Sequence, residues 1–173
     1  MLDNRYWRPS GETITIETTA ITSPATVQTK IDSRVVHFTN MGGYVILSDD
    51  GATLYYKKVS NSYNGTTGYT EEELPAKLKG EKQFFELYLS HGVSSSYGTV
   101  ENNSYFYAYL PEATVEQTNA YYSAPDVELL ARSGKAHAVI EKTLNIVACN
   151  FFEEDLATVK VDAKIPTLPQ LSR

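Results

Sequence analysis

The chain has 173 residues, 42% of them hydrophobic, thirteen tyrosines and a net charge of −6. That length suits one domain burying roughly two-thirds of its unfolded surface, and the acidic balance excludes nucleic acid, whose phosphates need clustered Lys and Arg. No apolar run approaches the ~20 residues of a membrane span, and Met1-Leu2-Asp3 lacks the basic and apolar regions of a signal peptide.

In chain order, residues 1–11 are polar and aromatic without periodicity, with Trp7 and Pro9 among them. Glu12 to Thr18 alternates, with Ile14 and Ile16 facing inward, which predicts a half-buried strand. A turn at Pro24 leads to a second strand, Ala25 to Ile31, with Val27, Thr29 and Ile31 on one face. Val35-Val-His-Phe38 and Gly42 to Leu47 follow as further strands. Asp50-Gly51 then reads as a turn into Ala52 to Lys57, a local hairpin signal.

Residues 59–80 are rich in Ser, Asn, Gly and Thr and carry the acidic run Glu71 to Glu73. So long a loop in a compact domain is functional or mobile as a rule. Gln83 to His91 and Tyr105 to Leu110 alternate strictly, and we expect them to form a long-looped antiparallel hairpin in the middle of a sheet, covered on both faces. Pro111 ends the second strand because it has no N–H to donate.

Thr114 followed by Gln117 is a capping box and opens a helix of about ten residues, its apolar face made by Val115, Thr118, Tyr121 and Tyr122. Pro125 bars its continuation. Val127 to Leu130, Ala136 to Ile140, Leu144 to Phe152 and Ala157 to Val161 are four more short strands, with turns at Ser133-Gly134 and Thr143 to Asn145. About ten strands against one helix predict an all-β fold, a large antiparallel β-sandwich. The domain is expected over residues 1–164, with the two-proline stretch 165–173 leaving it as a tail or linker towards a C-terminal domain.

One ordered series in this chain resembles a known family. It runs His91-Gly92, Tyr105 to Pro111, Ala113-Thr114, Tyr121, Pro125 to Glu128, Ala136 to Ile140 and Asn150-Phe151. Upstream, Ile21 to Ser23 with Val27 to Arg34, and Gly42 to Leu47, fit the same pattern, although Lys30 stands where that pattern has Thr and the stretch after Arg34 is trimmed. Together these resemble the central β domain of polysaccharide lyase family 8, the hyaluronate, chondroitin and xanthan lyases. The resemblance covers about residues 15–160 and implies the supersandwich architecture shared with galactose mutarotases.

It also implies chemistry that this chain does not carry. Such lyases take the C5 proton of a uronic acid and expel the C4 glycosidic oxygen, so the neighbouring carboxylate must be neutralised and a base must lie within reach. In the family an Asn, a His, a Tyr and an Arg of an N-terminal α-toroid do this, and none of them has a match here. No catalytic residue is therefore assigned. The resemblance implies a parent that is an extracellular or cell-surface lyase acting on an acidic polysaccharide, and a fragment that is inactive alone, supports the toroid and closes one wall of the cleft. A stand-alone carbohydrate-binding or adhesin-type sandwich is the alternative.

By the same resemblance, Gln28, Asp32 and Arg34 lie on the wall nearest the substrate and His37 follows them on the next strand. Arg34 could meet a carboxylate bidentately or hold Asp32 across a turn. His37, His91 and His137 lack metal-ligand spacing, and Asp49-Asp50 and Glu153 to Asp155 do not form a twelve-residue calcium loop. No metal or cofactor is expected. Trp7, Tyr63, Tyr69 and Tyr97 sit in polar stretches and suit either stacking on sugar rings or capping sheet ends. Cys149, the sole cysteine, lies in an apolar run and reads as a small core residue.

Overall fold

The computed structural model describes residues 2–6, 12–48, 52–62, 70, 72–76, 79–90 and 104–152. Among them are twelve strands and one helix, and the chain divides into two units, Met1–Tyr122 and Ser123–Arg173. The expected boundary after residue 164, the tail beyond it and the strand candidate Ala157 to Val161 lie outside the described residues.

The first unit holds two antiparallel sheets. One has four strands in the order β1 (Asp3–Tyr6), β8 (Glu81–Ser90), β7 (Thr53–Ser62), β4 (Thr29–Ile31). The other has five, in the order β3 (Thr19–Ile21), β2 (Ile14–Ile16), β5 (Val35–Phe38), β6 (Gly42–Ser48), β9 (Phe106–Pro111). Alternation decides what meets between them. Phe85, Leu87, Leu54, Tyr56 and Ile31 of the first sheet join Ile14, Val36, Phe38, Tyr44 and Ile46 of the second in one core. Phe38 meets Phe85 edge-on with ring centres 5.2 Å apart, the geometry that aromatic quadrupoles favour. This is the expected all-β antiparallel sandwich.

β5 is the central strand of its sheet and is buried at all four positions. Val36 and Phe38 enter the core, so Val35 and His37 point to the opposite face, where residues of β6 pair with them as Val45 and Gly43. That outer face is covered by helix α1 (Val115–Ser123), whose Thr118 is fully buried over Gly43. The capping box forms as the sequence predicts. Thr114 N–H donates to Gln117 Oε1 at 2.8 Å and Gln117 N–H to Thr114 Oγ1 at 3.2 Å. Of the expected apolar face, Thr118 is the residue buried and Tyr122 stays 42% exposed.

Two expected hairpins do not exist. β6 and β7 lie in different sheets, as do β8 and β9, so each connection crosses the sandwich instead of reversing within a sheet. β9 is the last strand of its sheet among the described residues, with Tyr107 and Tyr109 36% and 40% exposed. A phenol tolerates one wet side, so alternation of Tyr with Phe, Ala and Leu suits an edge as well as a centre. Pro111 also fits an edge, where no N–H is needed.

The second unit is an antiparallel meander of β10 (Val127–Arg132), β11 (Ala136–Glu141) and β12 (Ile146–Phe151). Its turns are held by side chains in the predicted places. Ser133 Oγ accepts from the N–H groups of Lys135 and Ala136, and the Glu141 carboxylate accepts from those of Thr143 and Leu144. β12 is exposed along its whole length, and Cys149 with it. The expectation of a core cysteine is thereby corrected: apolar sequence identified a strand, but the strand is an edge.

Candidate functional site

The four candidate residues divide between two places. Gln28 is exposed just before β4. After β4 the chain turns through Asp32, Ser33 and Arg34 into β5. Ser33 Oγ accepts from Val35 N–H at 3.0 Å and fixes the bend. Lys30, Asp32, Ser33 and Arg34 then rim a hollow of about 240 Å³ floored by Ile31, Ile46 and Leu54. Here Lys30 Nζ meets Asp32 Oδ1 at 2.6 Å, and that hydrogen bond, with the carboxylate's charge, raises the Lys30 pKa. Asp32 is thus paired with Lys30, two residues back along the chain. Arg34 is half-buried at the same rim. With both partners exposed, the Lys30 pair contributes little to stability; its consequence is to place a carboxylate between two cations.

His37 lies elsewhere. It faces the outer side of the five-stranded sheet, beside Thr15 in cross-strand register. Its Nε2 lies 2.8 Å from the carbonyl oxygen of Ala113, seventy-six residues away. A carbonyl only accepts, so Nε2 carries the proton and the neutral ring leaves Nδ1 as a bare acceptor. That atom is buried and has no hydrogen-bond partner among the described residues. Around it Thr15, Thr39, Met41, Glu112, Val115 and Glu116 line a second hollow, of about 540 Å³.

The Glu116 carboxylate is drawn below the ordinary value of 4.5 by its own backbone N–H first and by the Thr114 hydroxyl second. These bonds occupy donors at the start of α1 that would otherwise attract an external anion. The sequence singled out His37 but not Thr15, Thr39 or Glu116. The legible signals were Thr15 between two inward isoleucines and an acid in the first turn after an N-cap. That they converge depends on the 76-residue step between His37 and Ala113.

His137 is exposed and its ring meets Phe152 edge-on at 4.8 Å. Trp7, Asp49, Asp50, Tyr63, Tyr69, His91, Tyr97 and the stretch Glu153 to Asp155 lie outside the described residues. Among the described residues no group of three or more His, Cys, Asp or Glu side chains could hold a metal ion. No helix described is long and apolar enough to cross a membrane.

The tyrosines of β9 form a ladder with Tyr44. Tyr44 and Tyr109 stack with centres 4.8 Å apart, and Tyr107 lies 6.2 Å from Tyr44 and 6.1 Å from Tyr105. Stacking on one another occupies the faces a pyranose would use, so the ladder presents ring edges and hydroxyls outward. The sugar-contacting chemistry is better sought in the two hollows.

No family model matches the chain. It is 30% identical over 91 residues to a xanthan lyase of Bacillus sp. (strain GL1), a match that covers 50% of this chain and 9% of that protein. In fold it is similar to the solved Paenibacillus xanthan lyase, with a TM-score of 0.63 and 21% identity over 86% of this chain and 14% of that one. The chain therefore spans a small part of the length of these relatives. Both findings agree with the resemblance read from the sequence, and the chain fits a fragment of a polysaccharide lyase of family 8.

Proposed function

We propose that this chain is the β-sandwich portion of a secreted polysaccharide lyase that cuts a uronic-acid-containing polymer by β-elimination. In this reading it braces an N-terminal helical catalytic domain and closes one wall of the substrate cleft. The sequence likeness to a xanthan lyase carries the proposal, and it puts xanthan ahead of hyaluronan or chondroitin as the polymer. The rim of Lys30, Asp32 and Arg34 supports it from the geometry. A guanidinium there can take a substrate carboxylate through two parallel N–H bonds, while Lys30 and Asp32 set the local charge.

The reading is tested by incubating the purified chain with xanthan, hyaluronan and chondroitin and following the ultraviolet absorbance of unsaturated product. No product is expected, because the proton-abstracting groups belong to the helical domain. Product from this chain alone overturns the proposal, and tight saturable binding without turnover would favour a free-standing carbohydrate-binding module. In the parent enzyme, Arg34→Ala is expected to raise KM about tenfold with kcat little changed, the mark of a group that binds without reacting.

A further inference from the structure

The hollow beside His37 is unlike the Arg34 rim in charge, and it shares no lining residue with it. Its most constrained atom is His37 Nδ1. The residue is 8% exposed, its other nitrogen is committed to Ala113, and no described group donates to Nδ1. A buried acceptor left unmatched costs about 1–3 kcal/mol, so the site favours any occupant that brings a donor. The remaining polar lining points the same way. Thr39 Oγ1 spends its proton on the Thr13 carbonyl at 3.0 Å and keeps its lone pairs, and Glu112 and Glu116 are carboxylates.

These acceptors would repel an anion, so a uronate is disfavoured where a neutral hydroxyl is welcome. An ion is a poor fit to about 540 Å³, within the range of ~300–1,000 Å³ typical of small-molecule sites. Met41, Ala113 and Val115 supply apolar wall beside the acceptors. A pyranose combines these needs, with an apolar face and a rim of hydroxyl donors.

We infer that the hollow between β5 and the start of α1 is a binding site for an uncharged pyranose, one of whose hydroxyls donates to His37 Nδ1. The site needs no helical catalytic domain and is independent of the cleft-wall reading. It can fail while Arg34 behaves as proposed, and the reverse also holds.

The test is a titration of the ¹⁵N-labelled chain with methyl glucopyranoside and, separately, with the corresponding methyl glucuronoside. The neutral glycoside is expected to shift the His37 Nδ1 resonance and the Thr15 and Thr39 amides saturably, and the uronate to bind at least severalfold more weakly. His37→Gln retains an N–H for the Ala113 carbonyl and removes the Nδ1 acceptor, so it should weaken the neutral glycoside about tenfold, as loss of one hydrogen bond predicts. Should that variant not fold, Thr15→Val on the neighbouring strand gives the same reading. No saturable shift, equal binding of the uronate, or unchanged affinity in the variant would overturn the inference.

Discussion

Gly43 and Thr118 share one space. A Cβ on Gly43 would overlap the Thr118 side chain, which is fully buried and ties its hydroxyl to the Thr114 carbonyl at 2.7 Å. The helix can lie on the five-stranded sheet only because strand β6 has no side chain at that point. Gly43→Ala should therefore destabilise the first unit by about 1–3 kcal/mol, the usual cost of overpacking. Thr118→Ala should relieve it, so that urea denaturation of the double variant shows a loss smaller than the sum of the singles. Simple additivity would mean that helix and sheet do not compete for that volume.

Glu116 gives the helix a pH dependence of definite sign. Its own N–H and the Thr114 hydroxyl hold its pKa below 4.5 in the folded chain. A lowered folded pKa means that the stabilisation is complete above the ordinary carboxylate value and is lost as pH falls through the folded one. Glu116→Gln should lower the melting temperature slightly at pH 7, and the gap from the parent chain should close below pH ~4. A gap that widens on acidification would contradict the assignment.

How much of this was readable beforehand depends on the range of the interaction. The capping box of Thr114 and Gln117, the turn at Ser133 and the inward Ile14 are local, and composition with period is enough for them. Partner choice is not local. Asp50-Gly51 signals a reversal, but nothing in it says whether Thr53 returns beside β6 or crosses to the other sheet, as it does. Period 2 reports which residues are buried and is silent on which strand they pair with. The same holds for the sites. Lys30, Asp32 and Arg34 are neighbours in sequence and meet, whereas His37 acquires Glu116 and Ala113 only through the fold.

Cys149 offers a direct check on the edge position of β12. Its cross-strand partner Ala138 is buried, but the thiol itself is exposed. The native chain should therefore react with one equivalent of an aromatic disulfide reagent without denaturant, at a rate within about tenfold of a model thiol of ordinary pKa, near 8.5. Labelling that waits for urea would mean that the strand is covered.

The tyrosine ladder separates packing from polarity. Tyr109 stacks on the buried Tyr44 and its hydroxyl donates to the Met41 carbonyl at 3.0 Å from an exposed position. That bond competes with water, so Tyr109→Phe should cost no more than about 1 kcal/mol. Tyr109→Ala removes the stacked ring as well and wets Tyr44, which is only 7% exposed. An aromatic pair is worth about 0.5–1.5 kcal/mol beyond its area, and the lost area adds to it, so a total near ~2 kcal/mol is expected in denaturant titrations. Because the ring faces are occupied by one another, neither change should alter binding of a neutral glycoside. Loss of sugar affinity in Tyr109→Ala with the fold intact would move the carbohydrate surface from the His37 hollow to this ladder.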